Sequence, residues 1–185
     1  MQTFNQNLML EKRIIRKAMR EKNRSLSPES REESSLRLWE RVSKREEFQS
    51  AECIALFCSL PDEPDTTTIL KMASSSKRVV IPRVEGEEMS FYDYIPDSLE
   101  SGSYGILEPK TGDKADPEEI DLMIVPGVAF TLSGKRMGRG KGYYDKYMAK
   151  MSPKSIKIGV CYAHQIMEEL PTEPHDIMMQ CVIFG

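Results

Sequence analysis

The sequence predicts an α/β fold with a mainly parallel sheet covered by helices. Three observations lead there. Short apolar runs at 53–57, 77–81, 120–125, 156–162 and 179–184 have the length and composition of buried strands. Segments with helical spacing or helix-start residues alternate with several of them. A loop with several acids, 58–65, follows the first run at its C-terminal end, where open α/β sheets bind ligands.

Residues 8–23 form a helix in which Leu8, Ile15, Ala18 and Met19 share an apolar side. Lys12 and Arg16, four apart, are surface neighbours and by themselves read as a solvated basic face. Ser27-Pro28-Glu29 is a helix start: Ser as N-cap, Pro in the first position, an acid in the first turn. The helix that follows carries Leu38 and Val42, uses Trp39 for packing, and is expected to end near Phe48. Strand 53–57 leads into loop 58–65, and Asp65-Thr66 caps a helix reaching about Ser74. Residues 77–81 are a second strand, closed by Pro82, and 89–95 an edge strand. Residues 97–119 hold Pro, Gly, Ser and acids and are expected to be a long loop with few regular elements. Strand 120–125 ends at Pro126-Gly127, a turn follows at 131–134, and strands 156–162 and 179–184 complete the chain.

A length of 185 residues reads as one domain, 1–185, with a substantial core. A formal net charge of −3 gives no bulk attraction to nucleic acid or an anionic membrane, and no apolar run approaches a membrane span. The first residues lack a signal-peptide pattern. The cysteines at 53, 58, 161 and 181 lack metal-ligand or CxxC spacing, so reduced, mostly buried thiols in a cytoplasmic protein are expected.

The segment Lys135-Arg-Met-Gly-Arg-Gly-Lys-Gly-Tyr-Tyr-Asp145 carries the chemistry. Gly138, Gly140 and Gly142 let backbone amides approach a ligand and permit positive φ. Arg136, Arg139 and Lys141 would neutralise a polyanion, Arg as a planar fork and Lys as a mobile point charge. Asp145 suits a divalent metal shared with phosphate oxygens, or else supports the helix start. Tyr143, Tyr144, Tyr147, Met148 and Met151 recur at helical spacing, so the loop is expected to end at a helix N-terminus near Gly142, which favours an anion. The motif is not a Walker A loop, because Gly142 follows Lys141, and its glycine spacing is not a dinucleotide fingerprint. The residues read as a nucleotide phosphate cradle, against the plainer alternative of a solvated turn.

Together with Pro126-Gly-Val-Ala-Phe130, this segment resembles the 5-formyltetrahydrofolate cyclo-ligase (5,10-methenyltetrahydrofolate synthetase) family. Further pieces resemble it in order: Lys12-Arg-Ile-Ile-Arg16, Leu60-Pro-Asp-Glu-Pro-Asp-Thr66, Val80-Ile-Pro-Arg83, Met89-Ser-Phe91, Tyr104-Gly-Ile-Leu-Glu-Pro109 and Glu169-Leu-Pro-Thr-Glu-Pro-His-Asp176. The resemblance implies a Rossmann-like three-layer α/β/α sandwich of the type in ribose-5-phosphate isomerase and CoA transferases. It implies ATP- and Mg²⁺-dependent conversion of 5-formyltetrahydrofolate to 5,10-methenyltetrahydrofolate, with ADP and phosphate released. The expected partner is the folate, with no nucleic acid or membrane, and the expected assembly is a monomer or weak homodimer.

Carried over residue by residue, the resemblance puts Lys12, Arg16, Arg136, Gly138, Arg139, Gly140, Lys141, Gly142, Tyr143 and Asp145 at ATP. It puts Lys141, Arg139 and Tyr144 at the reacting groups, and Asp145 and Asp176 at Mg²⁺. Cys58, Glu63, Tyr143 and Tyr144 would meet the folate, Glu63 by accepting hydrogen bonds from pterin N–H donors. The tyrosines could equally be core. An isomerase or CoA transferase has no supporting motif here, and net acidity weighs against an RNA-binding module.

Overall fold

The computed structural model describes residues 2–102 and 105–185. Tyr104, quoted above in the 104–109 segment, lies outside the described residues. The elements in chain order are α1 (Gln2–Ser25), α2 (Pro28–Ser43), α3 (Glu46–Ser50), β1 (Cys53–Ala55), α4 (Thr67–Ser74), β2 (Arg78–Glu85) and β3 (Glu88–Asp93). Then come β4 (Leu99–Ser101), β5 (Leu107–Pro109), β6 (Leu122–Pro126), β7 (Ala129–Phe130), β8 (Arg136–Met137), α5 (Tyr143–Met148), β9 (Ile156–Cys161) and β10 (Cys181–Phe184).

The main sheet has the order β10-β9-β6-β1-β2-β3. Its first five strands pair in parallel, and β3 closes one edge antiparallel to β2. Side chains alternate across each strand. Ile54, Leu122, Ile124, Ile158 and Val160 meet Leu38, Val42, Ile69 and Leu70 of α2 and α4 on one face. Ala55, Val80, Met123 and Val125 meet Phe91, Phe130, Tyr147, Met148 and Met179 on the other. The three-layer α/β arrangement is thus present, with the second face covered by the short α5, the β7–β8 hairpin and the C-terminal loop. Among the described residues, no helix is long and apolar enough to cross a membrane.

From β1 the chain winds outward to β2, while from β6 it winds the opposite way to β9 and β10. The crevice where the winding reverses lies between β1 and β6, at their C-terminal ends, which is where such sheets bind ligands.

Four expectations are corrected. The helix after Ser27 stops at Ser43 rather than near Phe48; the chain turns at Lys44–Arg45 and α3 carries Phe48 into the core. Pro82 does not end β2. The Tyr94 N–H bonds to Val79 O, so by alternation the Pro82 nitrogen points away from β3, toward the side where β1 has already ended, and no ladder bond is lost. Residues 97–119 contain a small hairpin, β4–β5, rather than loop alone. The inward side of α1 is polar as well as apolar: Lys12 and Asn23 are as buried as Met19.

Candidate active site

The acidic loop after β1 is fixed by its backbone. Three successive carbonyls each accept a bond from a different element: Pro61 O from Arg31 Nη1 of α2 (2.6 Å), Asp62 O from Asn23 Nδ2 of α1 (2.9 Å), and Glu63 O from the Tyr162 hydroxyl after β9 (2.9 Å). The Trp39 indole N–H donates to Asp65 O, so this residue packs and also anchors the loop. Asp65 Oδ1 accepts from Thr67 N at the start of α4 (3.1 Å), while Thr66 turns back to accept from Ser59 N. Asn23 gives its N–H to Asp62, so its carbonyl oxygen accepts from His164 Nε2, which fixes the His164 tautomer. Burial, then Lys22, lowers the His164 pKa, and its ring stacks on Tyr162.

The glycine-rich loop leaves the β7–β8 hairpin opposite those acids. Arg136 is buried under it, with Nη2 on Asp145 Oδ2 (2.8 Å), Nη1 on Pro126 O (3.1 Å) and its guanidinium 5.5 Å from the Tyr144 ring centre. Both terminal nitrogens thus bond the scaffold beneath the loop, while Nε is buried without a partner among the described residues. Gly138 does not use positive φ; a Cβ there would lie 2.9 Å from Arg136 Nη1, so the glycine makes room for that side chain. Gly140 and Gly142 have φ of 102° and 71°, as expected. Arg139 reaches back to the acidic loop: Nη2 meets Asp62 Oδ1 at 2.7 Å and Glu63 Oε1 at 2.8 Å, and Nε meets Glu63 Oε1 at 3.1 Å. Burial alone would lower its pKa, but Glu63 and Asp62 together raise it. Lys141 is exposed and forms no ion pair among the described residues. At six residues α5 is short for a dipole-based anion site, and the cations carry that attraction instead.

α1 roofs this crevice. Arg16 Nε donates to Gly138 O (2.9 Å), tying the helix to the glycine loop. Burial lowers the Arg16 pKa, opposed by Asp176 and Glu173. Lys12 Nζ lies 2.7 Å from Glu173 Oε2 and 3.3 Å from Asp176 Oδ2. The solvated basic face that local sequence favours for this pair is therefore overturned: the Lys12 side chain is 6% exposed.

The carboxylates behind these cations bear on the metal. Ligand atoms of Glu173, His175 and Asp176 lie within 4.8 Å of one another, and the two carboxylates of this group also contact the Lys12 ammonium. Asp145 Oδ2 accepts from Arg136 Nη2 and its Oδ1 from the Ile177 N–H (3.2 Å), next in sequence to Asp176. Each oxygen retains a second lone pair, so pairing does not bar coordination. Hard carboxylate oxygens are the donor type that Mg²⁺ takes.

The folate candidates cluster less tightly. Burial, then the charge of Glu63, raises the Tyr144 pKa, with Cys58 also contributing, which sets these three groups within electrostatic range. The Tyr144 ring stands edge-on to Phe91 at 6.4 Å, partly in the core. Tyr143 points elsewhere: its hydroxyl donates to Gly86 O in the β2–β3 turn (3.2 Å). Burial, then Glu108, pushes the Cys58 thiol up to about 11, and all four cysteines are free, as expected. A cleft of about 560 Å³ adjoins Glu63, lined by Arg31, Trp39, Leu60, Asp65 and Tyr162 among others. Between Arg16, Asp62, Glu63, Gly127 and Arg139 the free space is only about 10 Å³, because Arg139 spans it. Sequence reading missed Asn23, Arg31, Asp62, Tyr162 and Glu173; Asp62 and Glu173 stood inside quoted motifs, and the other three carry no local signal.

A cation-lined, glycine-rich mouth at the switch point of a parallel sheet, faced by fixed carboxylates, defines an α/β enzyme built to handle an anionic substrate. The model of the 5-formyltetrahydrofolate cyclo-ligase family matches residues 9–185, and the chain belongs to that family. It is 29% identical over 195 residues to the 5-formyltetrahydrofolate cyclo-ligase of Mus musculus, covering 94% of this chain and 93% of the relative. It is 30% identical over 173 residues to that of Escherichia coli strain K12, covering 89% and 95%. The solved structure of Aquifex aeolicus 5,10-methenyltetrahydrofolate synthetase superposes with a TM-score of 0.84 at 36% identity, covering 93% of this chain and 88% of that one. The family implies a nucleotide co-substrate.

Proposed function

We propose that this chain, acting as one domain in the cytoplasm, converts 5-formyltetrahydrofolate to 5,10-methenyltetrahydrofolate, using ATP and Mg²⁺ and releasing ADP and phosphate. The observation that carries the reading is the meeting of Arg16, Arg139 and the glycine loop with Glu63 and Asp62 at the β1/β6 crevice. A formyl oxygen is a poor leaving group. Its attack on the γ-phosphorus of ATP forms the O–P bond and expels ADP. N10 of the folate then attacks the activated formyl carbon and gives up its proton to solvent, and phosphate departs with the original oxygen, its C–O bond breaking. Little covalent work falls to the protein, whose task is positioning and charge stabilisation.

Lys12 and Arg16 hold the phosphates from above. Arg139 and the mobile Lys141 meet the transferring group, while Arg136 fixes Asp145 and the loop from below. Asp145 and Asp176, with Glu173 beside them, would hold Mg²⁺, which neutralises phosphate charge when bound. Glu63 accepts from the pterin N–H groups, and Tyr144 and Cys58 line the same side. Growth of the methenyl-folate absorbance on mixing protein, 5-formyltetrahydrofolate and Mg²⁺, with ATP and not without it, is the test. Folded protein that gives no ATP-dependent growth would refute the reading.

A further inference from the structure

Resting on that reading, we propose that Asp62 is a positioning residue that couples the two ligand sites. In this structure Arg139, placed for the nucleotide, and Glu63, placed for the folate, are bonded to each other. Each therefore masks the other. The acidic side of the contact cannot retreat, because the carbonyls of Pro61, Asp62 and Glu63 are pinned by Arg31, Asn23 and Tyr162, and Leu60 N–H holds Glu63 Oε2 at 3.0 Å. The movable partner is Arg139, which sits on an exposed turn between two glycines. Asp62 is the second half of its dock, 2.7 Å from Nη2, and no ligand role falls to it in the proposed reaction.

The consequence follows from linkage. A folate that engages Glu63 weakens the Arg139 dock and readies the arginine for phosphate. A nucleotide that draws Arg139 away leaves Glu63 free for the folate. Each ligand thus lowers the cost of breaking the contact for the other, and the coupling is reciprocal. Asp62 sets its size, because it doubles the anionic charge that Arg139 must leave.

The test is the dissociation constant of 5-formyltetrahydrofolate for the full chain, measured calorimetrically with Mg²⁺, with and without a non-hydrolysable ATP analogue. The analogue is expected to tighten folate binding about tenfold, within the usual span of allosteric coupling. In Asp62→Asn the folate alone binds tighter and the analogue's effect falls to less than half, while Asp62→Glu keeps the wild-type effect. A merely structural role for Asp62 would weaken both ligands without changing their coupling. Folate affinity indifferent to the analogue in wild type, or coupling unchanged in Asp62→Asn, overturns the inference alone. Absence of folate binding in either nucleotide state overturns the functional reading and this inference with it.

Discussion

Replacing Arg136 by methionine tests the scaffold under the glycine loop. The Arg136 side chain is 4% exposed and that of Asp145 15%, with 2.8 Å between charged atoms. Methionine keeps much of the packing volume but leaves Asp145 charged and unpaired except for the Ile177 N–H. Breaking a buried pair from one side costs about 3–5 kcal/mol. The surviving backbone bond and the partial exposure of Asp145 place the expected loss at the low end, about 3 kcal/mol. With a urea slope of about 2 kcal/mol/M, the unfolding midpoint should fall by about 1.5 M. Trp39, the sole tryptophan, is buried against Phe57 and reports the transition by fluorescence. Asp145→Asn and the double variant complete a cycle whose coupling should be roughly 2 kcal/mol. A midpoint unmoved in Arg136→Met, or strict additivity in the double variant, would refute the claim that these two groups are a buried structural pair.

Lys141→Ala should leave the unfolding transition in place, since the side chain is exposed, yet cut ATP-dependent turnover by about 100-fold or more if it meets transition-state charge; wild-type steady-state kinetics would remove it from the phosphate site. Glu63→Gln should raise the KM for the folate more than that for ATP, and equal effects on both would count against a pterin contact. His164 has a lowered pKa in the folded protein, so below its unfolded value near 6.5 the unfolded chain binds the extra proton first. Stability should therefore hold above that pH and decline as pH falls toward the folded pKa, and His164→Gln should flatten this part of the stability–pH curve. Gly134→Ala places a Cβ 2.2 Å from Met179 O at φ 95°, so a lowered melting temperature is expected with the turnover chemistry of the folded fraction intact; an unchanged melting temperature would show that the turn yields freely.

Much of the sheet was legible because its strands are continuous apolar runs, and a central parallel strand buried on both faces leaves that mark locally. The cap at Ser27-Pro28 and the glycine loop were readable for the same reason: their chemistry is confined to a few neighbours. What stayed hidden depends on distant partners. Lys12 reads as a surface lysine until Glu173 and Asp176 arrive from the far end of the chain. Pro82 reads as a strand end until the early termination of β1 removes the need for its N–H. Asn23, Arg31 and Tyr162 act on a loop up to 99 residues away, through backbone carbonyls that carry no sequence identity. The motif marks Arg139 as a candidate cation, but its dock on Asp62 could not be read from the motif, since nothing local joins the two loops.

The roof of the crevice is held differently from its walls. Among the described residues, the apolar anchor of α1 is a small cluster, Met19 with Ala129, Met137 and Leu170 and Ile15 packed beside it, and polar contacts of Lys12, Arg16 and Asn23 add to its grip. Such an element can lift while the sheet stays folded. Molecules with the helix lifted would keep the glycine loop but lose two of its cations. The apparent affinity for a phosphate ligand would then be its intrinsic value scaled by the fraction of molecules with the helix seated. A ligand bridging Lys12, Arg16 and the loop seats the helix by occupying it, and so completes the tertiary structure of its own binding site.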